Sequence, residues 1–241
     1  MSFENTSEET IVQKHRKQLL SLLKEHAYEE REIVLSSGRK SDFYIDCRKV
    51  VLTAEGHFLV GWLFCHFIRK LCSEAVAVGG MSLGANPLAS STSVISYLQA
   101  QQLEKESAPL YQIALNRIDP VCCVARCGAS SLRQEATPGA PRSRLAYEAA
   151  SYQANLVLDA FFVRKEAKTH GTEQFVEGAS HLPHGASVVI VEDVITTGHS
   201  CMLAVNRAKE VGLQPVRVIG LVDRCEGGRE FVEQHIPLTT I

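Results

Sequence analysis

The sequence predicts an α/β protein, a parallel β-sheet core covered by helices on both faces. Three observations carry this expectation. Four β-branched aliphatics stand in a row at Val188-Val189-Ile190-Val191, and an unbroken run of that kind marks a strand buried on both faces, as parallel strands are. Similar buried runs occur at residues 75–78 and 216–222. Between such runs lie segments with apolar residues at three- and four-residue spacing, and strands alternating with helices predict a parallel sheet.

In chain order, residues 8–27 place Ile11, Val12, His15, Leu19, Leu22, Leu23 and His26 at helical spacing, the pattern of an amphipathic helix. Ile33-Val34-Leu35 is a short strand, Ser36-Ser37-Gly38 a turn, and residues 43–51 a second strand. A helix follows over 54–71, and the buried strand at 75–78 ends in Gly79-Gly80. Asn86-Pro87 opens another helix, because proline is tolerated in a first turn, and its pattern carries to about Gln102. Periodicity then fails. Residues 107–155 hold scattered cysteines and an Ala-Thr-Pro-Gly-Ala-Pro run, and read as an irregular or partly disordered insertion with one short helix near 145–154. Regularity returns with a strand over 156–163, a polar loop over 164–178, the strand that contains Val188, a helix over 199–211 and a last strand over 216–222. The 1–241 chain is thus expected to form a single domain carrying one insertion.

Bulk properties narrow the function. The net charge of −2 gives no general basic field, so neither nucleic acid nor an anionic membrane surface is an expected partner. The longest apolar run, 58–68, is too short to span a bilayer and contains His66. The acidic N-terminus (Glu4, Glu8, Glu9) shows no export signal, so the eight cysteines are read as reduced thiols and the location as cytoplasmic. Cys122, Cys123 and Cys127 lie close together without a second pair at zinc-finger spacing.

Chemistry concentrates after the strand containing Val188. The acids Glu192 and Asp193 stand where that strand is expected to end, followed by Val194-Ile195-Thr196-Thr197-Gly198 and a helix beginning at His199-Ser200. Backbone N–H groups of such a turn and of the helix N-terminus can hold a phosphate, and the Thr hydroxyls add donors. Two carboxylates would repel that phosphate, so they are better suited to a neutral group such as vicinal ribose hydroxyls. The plain alternative is a strand end with solvated acids. A second cluster, Arg164-Lys165-Glu166-Ala167-Lys168-Thr169-His170-Gly171, puts three cations and a histidine in a loop with few apolar anchors. It suits a mobile lid over a polyanion; taken alone it reads first as a solvated charged loop.

The strand–acid–turn–helix segment resembles the signature with which type I phosphoribosyltransferases bind 5-phosphoribosyl 1-diphosphate (PRPP). The Arg164–Gly171 run resembles the catalytic loop of the orotate phosphoribosyltransferase family. Leu35-Ser36-Ser37-Gly38-Arg39-Lys40-Ser41-Asp42-Phe43-Tyr44-Ile45-Asp46 is similar to that family's orotate-binding segment, Val78-Gly79-Gly80-Met81-Ser82-Leu83-Gly84-Ala85-Asn86-Pro87 to its pyrophosphate-side loop, and Gly220-Leu221-Val222-Asp223-Arg224 to the strand end that supplies an arginine. All occur in the family's order and cover nearly the whole chain outside the insertion.

The resemblance implies the type I fold with a small N-terminal hood contributing to the base site, and transfer of phosphoribose from PRPP to orotate, giving orotidine 5′-phosphate and pyrophosphate. It implies Lys168, His170, Arg164 and Lys165 as the catalytic cations that stabilise the leaving pyrophosphate. Glu192 and Asp193 would take the ribose hydroxyls, and Val194, Ile195, Thr196, Thr197, Gly198, His199 and Ser200 the 5′-phosphate. Phe43, Tyr44, Thr196 and Arg224 would take orotate, with Arg224 on its carboxylate; without the family, Arg224 reads as a surface ion pair and the two rings as core packing. Mg2+ is the implied cofactor, held mainly through PRPP rather than by protein ligands. The lid's Lys and His serve the neighbouring subunit in that family, so a homodimer is implied. Ser36 and Leu83 depart from the pattern, standing where many members carry lysine, with Arg39, Lys40 or Arg48 available to compensate. Rival readings are transfer to another base, and a non-catalytic PRPP-sensing regulator.

Overall fold

A computed structural model describes residues 3–34, 40–115, 157–166 and 175–241. Six strands form the main sheet: β3 (Ala77–Met81), β4 (Asp159–Val163), β5 (Val176–Glu177), β6 (Ser187–Ile195), β7 (Gln214–Asp223) and β8 (Leu238–Thr240). Their spatial order is β5-β4-β3-β6-β7-β8. Every neighbouring pair is parallel except β4 and β5. The N-terminal part consists of helix α1 (Phe3–Leu22), a π-helical turn (Leu23–Ala27), the antiparallel pair β1 (Tyr28–Val34) and β2 (Lys40–Ile45), and a single turn of helix α2 (Arg48–Val51). Helices α3 (Ala54–Leu71) and α4 (Ala85–Leu115) flank β3; α5 (His199–Glu210) follows β6, and α6 (Gly228–Glu233) joins β7 to β8.

The aliphatic run in β6 explains the layering. Successive side chains of a strand point to opposite faces. Val189 and Val191 enter a core with Leu63 and Phe64 of α3 and Leu88 of α4. Val188 and Ile190 enter a second core with Ala204, Val205 and Ala208 of α5 and Val232 of α6. All four valine and isoleucine side chains are fully buried, each contributing about 1.5–3 kcal/mol of hydrophobic stabilisation. An alternating polar–apolar strand would leave one of the two helix layers without a surface to cover.

Several sequence expectations need correction. The first helix starts at Phe3, ahead of residue 8, and gives way to a π-helical turn after Leu22. The first strand begins at Tyr28. The second spans Lys40–Ile45 and stops short of residue 51, because Asp46 turns the chain: its Oδ1 accepts the Arg48 backbone N–H at 3.2 Å, and Val50 and Val51 are buried in α2. The fourth helix runs through Pro109 to Leu115, past Gln102 and into the segment read as irregular; Leu103, Glu104, Lys105 and Glu106 are good helix formers. The remainder of that segment and its short helix near 145–154 lie outside the described residues. The polar loop at 164–178 contains β5, which pairs back on β4. Strand β6 continues two residues beyond the acid pair, through Ile195. Neither α6 nor β8 was expected.

β4 lies on one side of β3 and β6 on the other, so the chain reverses its direction of travel across the sheet between β3 and β6. In open parallel sheets the loops at the carboxyl ends diverge at such a switch point and leave a ligand crevice. The ends of β3, β4, β6 and β7 lead into Ser82, Arg164, Thr196 and Arg224, which brings four of the five sequence segments singled out above to one edge.

Candidate active site

Glu192 and Asp193 are consecutive at the carboxyl end of β6, and their carboxylates lie close enough to each other to share a proton. Glu192, 7% exposed, goes to the α5 side, where its Oε2 accepts the Cys201 thiol at 3.6 Å. Asp193 is partly exposed. Its backbone carbonyl lies 3.8 Å from the Cys47 thiol, and its carboxylate faces Gly84 in the loop after β3. A Cβ at Gly84 would stand 2.6 Å from Asp193 Cγ and 2.7 Å from Oδ2, so only glycine lets that loop close over the acid.

Burial, and then the neighbouring Asp193 charge, push Glu192 up to about 8. Burial also raises Asp193. The ligand-free pair therefore retains a proton at neutral pH. Burial likewise pushes the Cys47 and Cys201 thiols well up, so neither is a thiolate. Lys165 lies near enough to favour ionised Glu192, and Arg48 ionised Asp193. Arg48 is thus a cation near the acid pair, in a chain with Leu83 in the pyrophosphate-side loop.

Beyond Ile195, the Thr196-Thr197-Gly198 bend enters α5. Gly198 caps that helix with φ +78° and supplies no side-chain hydrogen bond to it. The first-turn N–H groups consequently lack a capping oxygen and can be aimed at an anion. The bend is held from two directions. His199 Nδ1 is 3.0 Å from Thr197 Oγ1, and its ring stacks on Phe231 of α6 at 5.0 Å. Ser200, Thr196 and Thr197 are partly exposed and His199 is exposed, as ligand-facing groups must be, whereas Ile195 is buried.

Arg224 follows β7, and its backbone N–H donates to Ile195 O at 3.0 Å, tying it to the phosphate turn. Its guanidinium donates from Nε to Glu226 Oε1 (2.7 Å) and from Nη2 to Ser41 Oγ (2.7 Å) and Phe43 O (3.4 Å), and lies 4.1 Å from the centre of the Phe43 ring. The hood formed by β1 and β2 is thereby fastened over the carboxyl ends of β6 and β7. Phe43 and Arg224 are brought together. Tyr44, the next residue along β2, instead carries Arg31 over its ring at 4.6 Å, on the other face of the strand.

The basic loop divides. Arg164 turns to the base of the loop, with Nε 2.7 Å from Glu177 Oε1 and its backbone N–H on Phe175 O. Phe175 is covered by Arg207 of α5, whose guanidinium carbon lies 3.4 Å from the ring centre. Lys165 is exposed and near the acids. Lys168 and His170 lie outside the described residues, as do Ser36 and Arg39. Sequence reasoning missed Gly84, Cys47, Cys201, Ser41 and Glu226. Gly84 and Ser41 had a local signal, through their places in the loop after β3 and in the segment that resembles the orotate-binding one. Among the described residues no group of three or more His, Cys, Asp or Glu side chains gathers to hold a metal.

A parallel sheet whose switch point carries an acid pair, a phosphate-binding bend and an arginine under an N-terminal hood is the architecture of the type I phosphoribosyltransferases. Comparison with known proteins agrees: residues 143–235 match the phosphoribosyl transferase domain. Orotate phosphoribosyltransferase of Thermosynechococcus vestitus is 37% identical over 227 residues, covering 94% of this chain and 89% of that one. The crystal structure of the Mycobacterium tuberculosis H37Rv enzyme of that name, in complex with Fe(III) dicitrate, is 25% identical, with a TM-score of 0.58 and 94% of each chain covered. A second structure of the same enzyme, in complex with PRPP, shares the fold at a TM-score of 0.56. The chain belongs to the orotate phosphoribosyltransferase family.

Proposed function

We propose that the described site works as follows in the family's reaction, in which the phosphoribosyl group of PRPP passes to orotate, giving orotidine 5′-phosphate and pyrophosphate, a step of pyrimidine synthesis. The observation that carries the reading is the acid pair at the switch point, its two carboxylates side by side, just ahead of the bend into a helix whose N-terminus lacks a side-chain cap. Asp193 and Glu192 accept the ribose 2′- and 3′-hydroxyls, and the 196–200 bend cradles the 5′-phosphate with backbone amides. That places C1′ toward the loop after β3 and the lid, and orotate under the hood at Arg224 and Phe43.

As the C1′–oxygen bond breaks, negative charge grows on pyrophosphate, and preorganised cations are most effective where charge develops. Lys165 is available from the described residues, and Arg48, whose guanidinium is held by Asp46 (Nε to Oδ1 2.7 Å, Nη2 to Oδ2 2.9 Å), adds its charge from nearby; Lys168 and His170 complete the set from the lid. The donor set fits Mg2+ in one way: among the described residues the acids on the ribose side are Glu192 and Asp193, hard oxygen donors, so the ion would take its remaining ligands from PRPP and water. Bound there, it would neutralise charge on the diphosphate. The working unit in this reading is a homodimer in which the lid's Lys168 and His170 serve the neighbouring protomer. The slightly negative net charge supports small-molecule substrates over nucleic acid. No described helix is long and apolar enough to cross a membrane, and a cytoplasmic location is part of the proposal.

The test is orotate consumption, followed spectrophotometrically with PRPP and Mg2+, against adenine, hypoxanthine and uracil. Turnover with orotate alone is expected. Purine turnover without orotate turnover would overturn the assignment of the base.

A further inference from the structure

The turn after β7 holds two groups in an arrangement that the reaction above does not use. Arg224 and Glu226 are two residues apart, and the intervening Cys225 has φ +56°, a left-handed conformation unusual for a side-chain-bearing residue. The turn is secured on Asp223, whose Oδ1 accepts the Cys225 N–H at 2.8 Å and whose Oδ2 pairs with Arg229 at 2.9 Å. Its effect is to bring the Glu226 carboxylate back onto Arg224 Nε.

A guanidinium offers a carboxylate two edges with parallel N–H donors, Nε with Nη2, and Nη1 with Nη2. In the ligand-free protein the first edge is occupied at both atoms, Nε by Glu226 and Nη2 by Ser41. Phe43 covers a face. Among the described residues no acceptor meets Nη1. The Arg224 side chain is 2% exposed, so its charge requires a counter-ion wherever the substrate is absent, and a buried charge left unpaired is strongly destabilising. Glu226 supplies that counter-ion. Its own side chain is 22% exposed, so it approaches from the solvent side and can withdraw into water, whereas Ser41 and Phe43 belong to the hood.

We propose that Glu226 is an internal carboxylate that occupies Arg224 in the empty site and is exchanged for the carboxylate of the incoming base, which makes it a specificity-determining residue. This rests on the reading that Arg224 receives orotate's carboxylate. The exchange conserves charge. A substrate bearing a carboxylate replaces the bond it breaks with an equivalent one; a base without one, such as uracil, either leaves Glu226 in place or strands the guanidinium. Selectivity against neutral pyrimidines then comes from the turn itself rather than from a steric wall.

Steady-state kinetics on Glu226→Gln and Arg224→Lys test it. A neutral amide on Nε is a weaker competitor than a carboxylate, so Glu226→Gln is expected to lower the orotate KM roughly three- to tenfold, the difference between charge-assisted and neutral hydrogen bonds. The PRPP KM should not change, and Glu226→Ala should move the orotate KM in the same direction. Arg224→Lys, which loses the fork, should raise it. If Arg224→Lys leaves the orotate KM unaltered, Arg224 does not receive the carboxylate and both readings fall. If Arg224→Lys raises it while Glu226→Gln and Glu226→Ala raise it or leave it unchanged, the exchange alone is refuted, and Glu226 merely positions the arginine.

Discussion

Replacing Gly84 by alanine separates the role of Asp193 from its contribution to stability. The added methyl would stand 2.6 Å from Asp193 Cγ and 2.7 Å from Oδ2, well inside van der Waals contact, and something must yield. The atoms met are the end of a side chain rather than backbone, so the carboxylate turns away and the fold survives. What is lost is the acceptor aimed at a ribose hydroxyl. A hydrogen bond to a charged group is worth about 1.5–3 kcal/mol, and each ~1.4 kcal/mol is a factor of ten. The PRPP KM should therefore rise roughly ten- to a hundredfold, with Tm nearly unchanged. Initial rates against PRPP at saturating orotate, with a thermal melt of each protein, are the assay. Asp193→Asn in the same background provides a control: both changes act through one carboxylate, so their effects on PRPP binding should not add. An unchanged PRPP KM in Gly84→Ala, or full additivity with Asp193→Asn, would refute the placement of Asp193 on the ribose.

Other expectations follow from the same geometry. Glu192 is raised to about 8 in the folded protein from an ordinary value of 4.5. Between those values the native state holds a proton that the unfolded chain releases, so ligand-free stability should fall as pH rises through that window. Hydroxyl binding favours the ionised acid, so PRPP should expel a proton near neutral pH. Calorimetric binding enthalpies that do not vary between buffers of different ionisation enthalpy would contradict this. At Gly198 (φ +78°) an alanine would add a left-handed penalty, and its Cβ would stand 2.7 Å from Val232 Cγ2. The backbone term alone is about 1–2 kcal/mol, and Tm should drop by roughly 2–8 °C; an unshifted melt would show that the bend relaxes freely. Lys168→Ala should remove most turnover while leaving PRPP binding measurable, and rates equal to those of the unmodified chain would end its role in the lid.

What the sequence made legible were features whose causes are local. The Val188–Val191 run is buried on both faces, so it shows no alternation, and that is itself the mark of a central parallel strand. The acids and the Thr-Thr-Gly bend follow within a few residues, and their chemistry needs no distant partner to be recognised. Features that escaped depend on chain segments far apart. Arg224 and Ser41 are 183 positions apart, and Cys47 reaches Asp193 across 146; no periodicity reports such pairs. The short elements α6 and β8 are stabilised by packing on β7 and the phosphate bend rather than by a pattern of their own. The end of β2 was misjudged for another reason. Val50 and Val51 extend an aliphatic run that looks like strand, yet Asp46 diverts the chain by capping its own backbone, and those valines are buried from a helical turn.

Pairing two acids on adjacent strand positions has a consequence beyond ligand contact. At the end of β6 the two carboxylates lie together, Glu192 against Cys201 of α5 and Asp193 against Gly84 in the loop after β3. Glu192 cannot move out to water without disturbing the core beside α5, and a buried carboxylate close to another is held partly protonated. The empty site is therefore less stable than an apolar strand end in the same place would be. A ligand that presents hydroxyl donors to both acids, and phosphate to the uncapped helix beside them, removes that penalty as it binds. Inorganic phosphate alone can engage the bend but offers the acids nothing, while a ribose alone lacks the anion that the helix N-terminus favours. Only a molecule carrying both groups at the right separation satisfies the strand and the helix together. That requirement, arising from two adjacent acids at the end of one strand, is what the site asks of its substrate.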